Sequence, residues 1–210
     1  MVNFEDIQNN ENIYLYAGDM SEQRRTCKPF IGLSLNQSNL YHIRHNVTDN
    51  IPLLENSVNI YQSEDVFEHI EYNKQISMFN DIYKLLKPGG LFRLSMPDYR
   101  CDLLYERSFK DENGNIYHDP GGGGSYDYLN SKVVDGGHVW FPKYESVLKL
   151  FEQSNFDISN VNFLQYYNEQ NSPIINPIDY SNGYISRTPD HDKRVQEPSR
   201  PMSIVVDAYK

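Results

Sequence analysis

Cysteine is scarce in this chain: Cys27 and Cys101 are the only two in 210 residues. They lie far apart, fit no zinc-ligand spacing and supply no disulfide framework, so a reducing compartment is expected. Basic side chains are also in short supply, with 19 Lys and Arg against 29 Asp and Glu and a formal net charge of -10. Nucleic-acid binding draws most of its affinity from Lys and Arg on phosphates, so no nucleic-acid partner is expected. No apolar run approaches the length of a membrane span, and Met1-Val2-Asn3-Phe4-Glu5-Asp6 has neither the basic nor the apolar region of a signal peptide. The expectation is a cytoplasmic chain with no membrane span. Internal repeats and linker-like boundaries are lacking too, and 39% hydrophobic residues over this length suit a single domain, 1–210. Tyrosine, by contrast, is abundant, at 17 residues. That excess is either compositional bias or the lining of an acceptor cleft, where an amphipathic ring packs on a sugar face and bonds through its hydroxyl.

The apolar pattern alternates between short β-rich runs and helical stripes. Ile13-Tyr14-Leu15-Tyr16-Ala17 reads as a first strand ending at Gly18-Asp19, and Phe30-Ile31-Gly32-Leu33-Ser34-Leu35 as a second. The gap between them barely holds a helix. His42 to Val47 is a third strand, and Asn56-Ser57-Val58-Asn59-Ile60-Tyr61 enters a fourth that ends with Gln62, Ser63 and Glu64. From Val66, Phe67 and Ile70 through Ile76, Phe79, Ile82, Tyr83, Leu85 and Leu86 the spacing is helical until Pro88 and Gly89-Gly90 stop it. Leu91 to Met96 is a fifth strand, closed by Pro97-Asp98. A helix follows around Leu103, Leu104, Tyr105 and Phe109. The polar, glycine-rich stretch 111–137 is expected to be a mobile loop, and within it Gly121-Gly122-Gly123-Gly124-Ser125 has the composition of a flexible linker. Tyr144, Val147, Leu148, Leu150 and Phe151 form another amphipathic helix, and Ile158 to Tyr166 and Ser203 to Ala208 are the last strands.

Glu64-Asp65-Val66-Phe67-Glu68-His69-Ile70, Ile82-Tyr83-Lys84-Leu85-Leu86-Lys87-Pro88-Gly89-Gly90-Leu91-Phe92 and the run from His138 to Phe156 resemble class I S-adenosylmethionine-dependent methyltransferases. The short gap after the first strand resembles a glycan-associated subgroup in which the first helix shrinks to a loop. The resemblance implies an α/β, Rossmann-like, seven-stranded, mostly parallel sheet with an antiparallel C-terminal strand and helices on both faces. It implies S-adenosylmethionine as cofactor, S-adenosylhomocysteine as product, and O-methylation of a sugar or glycan hydroxyl. Methylation of a nitrogen or carboxylate on a small molecule, and a degenerate domain acting as a binding module, are the alternatives. The last is motivated by Ala17, Ser34 and Asn46, which stand where the family prefers Gly or an acid.

Ligands of open α/β sheets lie beyond the carboxyl ends of the strands at the switch in strand order. The candidate cofactor contacts are therefore Tyr16, Ala17, Gly18 and Asp19 after the first strand, Ser34 and Asn36 after the second, Asn46 and Val47 after the third, and Ser63 and Glu64 at the end of the fourth. Asp19 could meet the cofactor's ammonium group, Ser34 and Asn36 the ribose, and the Asn46 carbonyl oxygen the adenine amine. Methyl transfer to a hydroxyl needs alignment and removal of a proton, for which His69, Asp98, His138 and Asp65 are the candidates. Asp65 and Asp98 compete with roles as helix caps, and His69 with simple anchoring of its helix turn. No metal is expected: His42 with His45, His118 with Asp119, and His191 with Asp190 and Asp192 each lack a further partner at ligand spacing.

Overall fold

The computed structural model describes all 210 residues. A short capped turn of helix, α1 (Phe4–Ile7), precedes β1 (Tyr14–Ala17), α2 (Glu22–Arg25), β2 (Ile31–Ser34), β3 (His42–Arg44) and β4 (Val58–Glu64). Then come α3 (Tyr72–Leu85), β5 (Leu86–Pro97) and α4 (Asp102–Arg107). Four short strands follow, β6 (Phe109–Lys110), β7 (Ile116–His118), β8 (Ser125–Asp127) and β9 (Lys132–Val134). The chain closes with α5 (Tyr144–Glu152), β10 (Val161–Tyr167), β11 (Pro173–Ile175) and β12 (Ser203–Tyr209).

The main sheet has eight strands in the order β11-β10-β12-β5-β4-β1-β2-β3. The expected count of seven is exceeded by β11, which hairpins antiparallel onto β10 at the sheet edge. β12 is antiparallel to both β5 and β10, while β1 pairs in parallel with β2 and β4. The strand order therefore reverses between β1 and β4, and a crevice opens beyond their carboxyl ends. The first crossover is short, as the sequence indicates, and its only helix is the four-residue α2.

The two faces of the sheet are covered differently, because side chains alternate along each strand. Leu15, Ala17, Tyr61, Phe92, Leu94, Met96, Ile204, Val206 and Ala208 face α3 and α5, and pack there with Phe79, Ile82 and Phe151. The opposite face was expected to carry helices as well. It holds polar side chains instead, including Gln62, Glu64, Arg93 and Asp207, all buried. A helix would bring a backbone already bonded to itself; the irregular segment from Asp179 to Arg187 brings free groups. Gln62 donates to Tyr184 O, Arg93 donates to Asp179 O and Gly183 O, and Glu64 accepts from the amides of Ser186 and Arg187. Arg93 also forks Asp207 through bonds of 2.7 and 2.6 Å, locking directly paired residues of β5 and β12.

One expected helix begins late. Asp65 sits at φ +56°, residues Phe67–His69 form a single 3-10 turn, Ile70 is extended, and α3 starts only at Tyr72. Phe67 nevertheless reaches the core against Phe79 and Phe92, which explains why the apolar spacing reads as one continuous helix. Residues 111–137 contain the strands β7, β8 and β9, with β6 and β7 pairing as one hairpin and β8 and β9 as another. The Gly121–Ser125 run is packed: a Cβ on Gly122 would stand 2.5 Å from His138, and one on Gly124 2.4 Å from Val134 O.

Candidate cofactor cleft and the polar cluster beside it

A cleft of about 580 Å³ lies beyond the ends of β1, β2, β3 and β4. Gly18 and Asp19 line it after β1, Leu35 and Asn36 after β2, and His45, Asn46, Val47 and Thr48 after β3. The far wall is Asp65, Val66, His69, Ile70, Glu71 and Lys74, closed by Gly136. Gly18 takes φ +96°, and a Cβ there would press on Val66 at 3.3 Å. A glycine keeps this end of the cleft open and leaves the turn unstrained.

Of the proposed cofactor contacts, Gly18, Asp19, Asn36, Asn46 and Val47 line the cleft, and the others do not. Tyr16 is turned to the other face, where its ring meets Phe30 and its hydroxyl is buried without a partner. Ala17 and Ser63 are buried on the core side of their strands, Ala17 within the apolar cluster itself. The Ser34 hydroxyl donates to Asp19 and accepts from the amides of Asn36 and Gln37, so it builds the turn and has nothing left for a ribose. The Asn46 carbonyl oxygen already accepts from Thr48 N. Glu64 points away from the cleft to a 2.5 Å pair with Arg24 and to Ser186.

The four candidate bases also separate. Asp98 is fully buried, and its carboxylate accepts from Arg100 N and Tyr167 N, so it joins the end of β5 to β10 and caps no helix. Burial pushes its carboxyl up to about 6. Asp65 lies in the cleft wall, paired with Arg187 at 3.0 Å, and burial raises it to about 6 as well. His69 reaches the cleft, and its Nδ1 donates to Gly136 O at 2.8 Å. His138 lies behind it, ring against ring at 4.6 Å, and burial, followed by the neighbouring His69, pushes it down to about 3.

Glu68 completes this arrangement, and sequence reasoning missed it as a site residue. Its carboxylate is wholly buried, and neither oxygen has a hydrogen-bond partner. Burial, and then the charge of Asp65, drives its carboxyl well above the ordinary range. Its Oε1 is 3.5 Å from His138 Nε2 and 3.9 Å from His69 Nε2. The turn that carries it is tied down on three sides: Gln75 donates to Phe67 O and Ile70 O, Trp140 to Phe67 O, and Val139 N to Glu68 O. Behind His138, the Tyr99 hydroxyl meets its Nδ1 and donates to Asp119, which Arg107 forks at 2.9 and 2.6 Å. The adjacency of Glu68 and His69 was the available signal; the arrival of His138 from about seventy residues away was invisible to local spacing. Two of the other histidine candidates are otherwise engaged, His42 accepting from Met20 N and His191 facing Ile185 O.

Beside the cleft runs a second groove of about 470 Å³, lined by Tyr117, Tyr126, Val139 and Phe141. Glu71 lines both. Tyr117 and Tyr126 pack at 4.8 Å, and Tyr126 and Tyr128 at 5.0 Å.

A sheet ordered β3-β2-β1-β4-β5-β12-β10 with a cleft at the β1/β4 switch point has the fold of class I S-adenosylmethionine-dependent methyltransferases. Residues 11–94, from just before β1 to the middle of β5, match the family described as the methyltransferase domain. Among solved structures, the chain is similar to a SAM-dependent methyltransferase from Methanosarcina mazei at 10% identity and TM-score 0.50, covering 100% of this chain and 98% of that one. It is similar to a SAM-dependent methyltransferase from Archaeoglobus fulgidus at 12% identity and TM-score 0.52, covering 97% and 87%. A SAM-dependent methyltransferase from Thermotoga maritima, described as a possible histamine N-methyltransferase, is similar at 11% identity and TM-score 0.52, covering 94% and 82%. No curated protein matches this sequence.

Proposed function

We propose that the chain transfers a methyl group from S-adenosylmethionine to a hydroxyl of a small polar acceptor of the sugar class. The observation that carries this reading is the cleft itself: it is opened by a glycine at φ +96° on the β1 side and faced on the other by His69, with the buried Glu68 and His138 behind it. The methyltransferase-domain match over residues 11–94 covers the strands that build it. The residues present fit the donor. Gly18 admits the methionine half, the exposed Asp19 carboxylate suits its ammonium group, and Asn36, Asn46 and Val47 border the nucleoside end.

The sulfonium is already a good electrophile, so this chain's tasks are alignment and proton removal. S-adenosylmethionine, when bound, would supply an electrophilic methyl carbon to the acceptor oxygen, its sulfur keeping the electron pair of the broken carbon–sulfur bond. The hydroxyl proton leaves to His69, whose Nε2 carries a lone pair because Nδ1 donates to Gly136 O. The acceptor body lies in the tyrosine-lined groove that meets the cleft at Glu71. Aromatic faces pack on the C–H faces of sugars while hydroxyls bond at the rim, and the chain's net charge of -10 suits an uncharged acceptor better than a polyanion.

Calorimetry with S-adenosylmethionine and S-adenosylhomocysteine, followed by a product assay over a panel of monosaccharides and nucleotide sugars, tests this. Binding of both nucleosides with turnover on a hydroxyl acceptor is expected. Absence of binding at millimolar cofactor would refute the enzyme reading, and binding without turnover on any acceptor would point to a binding module.

A further inference from the structure

We infer that Glu68, His69 and His138 form a binding site for a divalent first-row transition-metal ion at the inner wall of the cleft. Oε1 or Oε2 of Glu68 and one nitrogen of each histidine lie within 4.8 Å of one another. Two imidazoles and one carboxylate are a donor set suited to zinc or iron(II), and unlike the all-oxygen shells of calcium and magnesium.

The hydrogen-bond network assigns the protons. His69 Nδ1 faces Gly136 O at 2.8 Å, and a carbonyl only accepts, so the proton is on Nδ1 and Nε2 is bare. Tyr99 spends its hydroxyl proton on Asp119 Oδ2 at 2.7 Å and offers His138 Nδ1 only a lone pair, so Nδ1 of His138 donates and its Nε2 is bare as well. Both bare nitrogens then face Glu68 Oε1, at 3.9 and 3.5 Å. Two bare nitrogens thus converge on one buried carboxylate oxygen, with no hydrogen on either nitrogen. A carbonyl behind one ligand and a tyrosine–carboxylate pair behind the other are the kind of outer partners that fix metal-bound imidazoles.

Spacing decides between an ion and a proton. A proton on Glu68 would sit on an oxygen 3.5 Å from its nearest nitrogen, beyond a good hydrogen bond, and the other nitrogen would stay unanswered. Tetrahedral coordination at about 2.0–2.2 Å sets ligand atoms roughly 3.3–3.6 Å apart. The cluster is within about an ångström of that, and one ion would answer all three groups. His69 lines the cleft, so the remaining coordination position opens toward the acceptor. With an ion bound, the acceptor oxygen becomes a ligand and its proton leaves to solvent; the role of His69 as proton acceptor describes the ion-free cluster. This consequence rests on the methyltransferase reading, whereas ion binding does not.

The test uses the full chain stripped with a chelator, titrated calorimetrically with Zn²⁺ and Mg²⁺ and spectroscopically with Co²⁺, all without cofactor. One Zn²⁺ or Co²⁺ per chain is expected, with the intense visible bands of low-coordinate cobalt and no heat with Mg²⁺. His69→Ala, at a partly exposed position, and Glu68→Gln should each weaken binding at least tenfold with unchanged circular dichroism. No stoichiometric ion at tens of micromolar, or unchanged affinity in His69→Ala, overturns the inference. Because the titrations are made without cofactor, their failure leaves the proposed function standing, and a failure of that function leaves the ion site standing.

Discussion

At the residue scale, Gly18 and Asp98 make opposite uses of a strand end. Gly18 is held at φ +96° by a turn whose backbone cannot relax, since Gly18 N is bonded to Leu33 O at 2.9 Å and its open side is the cleft. Gly18→Val is expected to cost about 1–3 kcal/mol of stability from backbone strain and to remove S-adenosylmethionine binding, both readable by thermal melts with and without cofactor. Unchanged affinity would move the donor elsewhere. Asp98 holds its turn through a buried carboxyl raised to about 6, so the folded state keeps its proton more tightly than the unfolded chain, where Asp titrates near about 4. This group's favourable contribution is complete below about pH 4 and is lost as pH rises through about 6, at up to ~1.4 kcal/mol per pH unit. Urea unfolding at a series of pH values from 4 to 7 should show that falling component in the native chain and its absence in Asp98→Asn.

At the scale of elements, β12 and the segment 179–187 are held by one arginine. Arg93 has no exposed side-chain surface, its partner Asp207 is directly across the β5–β12 ladder, and its remaining nitrogen takes two carbonyls of the covering segment. Removing one partner of a buried pair strands the other charge, so Arg93→Met is expected to cost about 3–5 kcal/mol, and Arg93→Met with Asp207→Leu to regain most of it. Chemical denaturation of the two variants checks both values. The single variant should also speed amide exchange at Gly183 and Ser186, because the carbonyls and the neighbouring Glu64 anchor would lose their shared frame.

At the scale of the whole molecule, the proposed donor cleft and acceptor groove come from different stretches of chain. The proposed donor cleft is built by the turns after β1, β2 and β3; the aromatic groove is built by the hairpins β6–β7 and β8–β9 and the approach to α5. Tyr126 lies in that groove and away from the donor turns, so Tyr126→Ala should raise the acceptor KM several-fold with cofactor Kd unchanged. Steady-state kinetics beside cofactor calorimetry separates the two; an unchanged KM would remove the groove from the acceptor path. No helix is long and apolar enough to cross a membrane.

The strands, the α3 stripe and the turns at Gly18, Asn36 and Asn46 were legible in the sequence, because period and strand ends are local properties; the helix stop was placed too late, since α3 ends at Leu85 and Pro88 already lies in β5. The same locality misled at Val66, where apolar spacing ran through a 3-10 turn, at Ser34, whose hydroxyl is spent on its own turn, and at Glu64 and Asp98, whose carboxylates face partners far along the chain. Which side of a strand a carboxylate turns to depends on what covers that face, and the cover over β4 is a segment more than a hundred residues later. The sequence by itself thus determined the kind of sheet and the end of it where the cleft opens. Only the tertiary structure decided that Glu68 would be buried without a donor and that His138 would complete its cluster, because burial and convergence are properties of packing that no local pattern encodes.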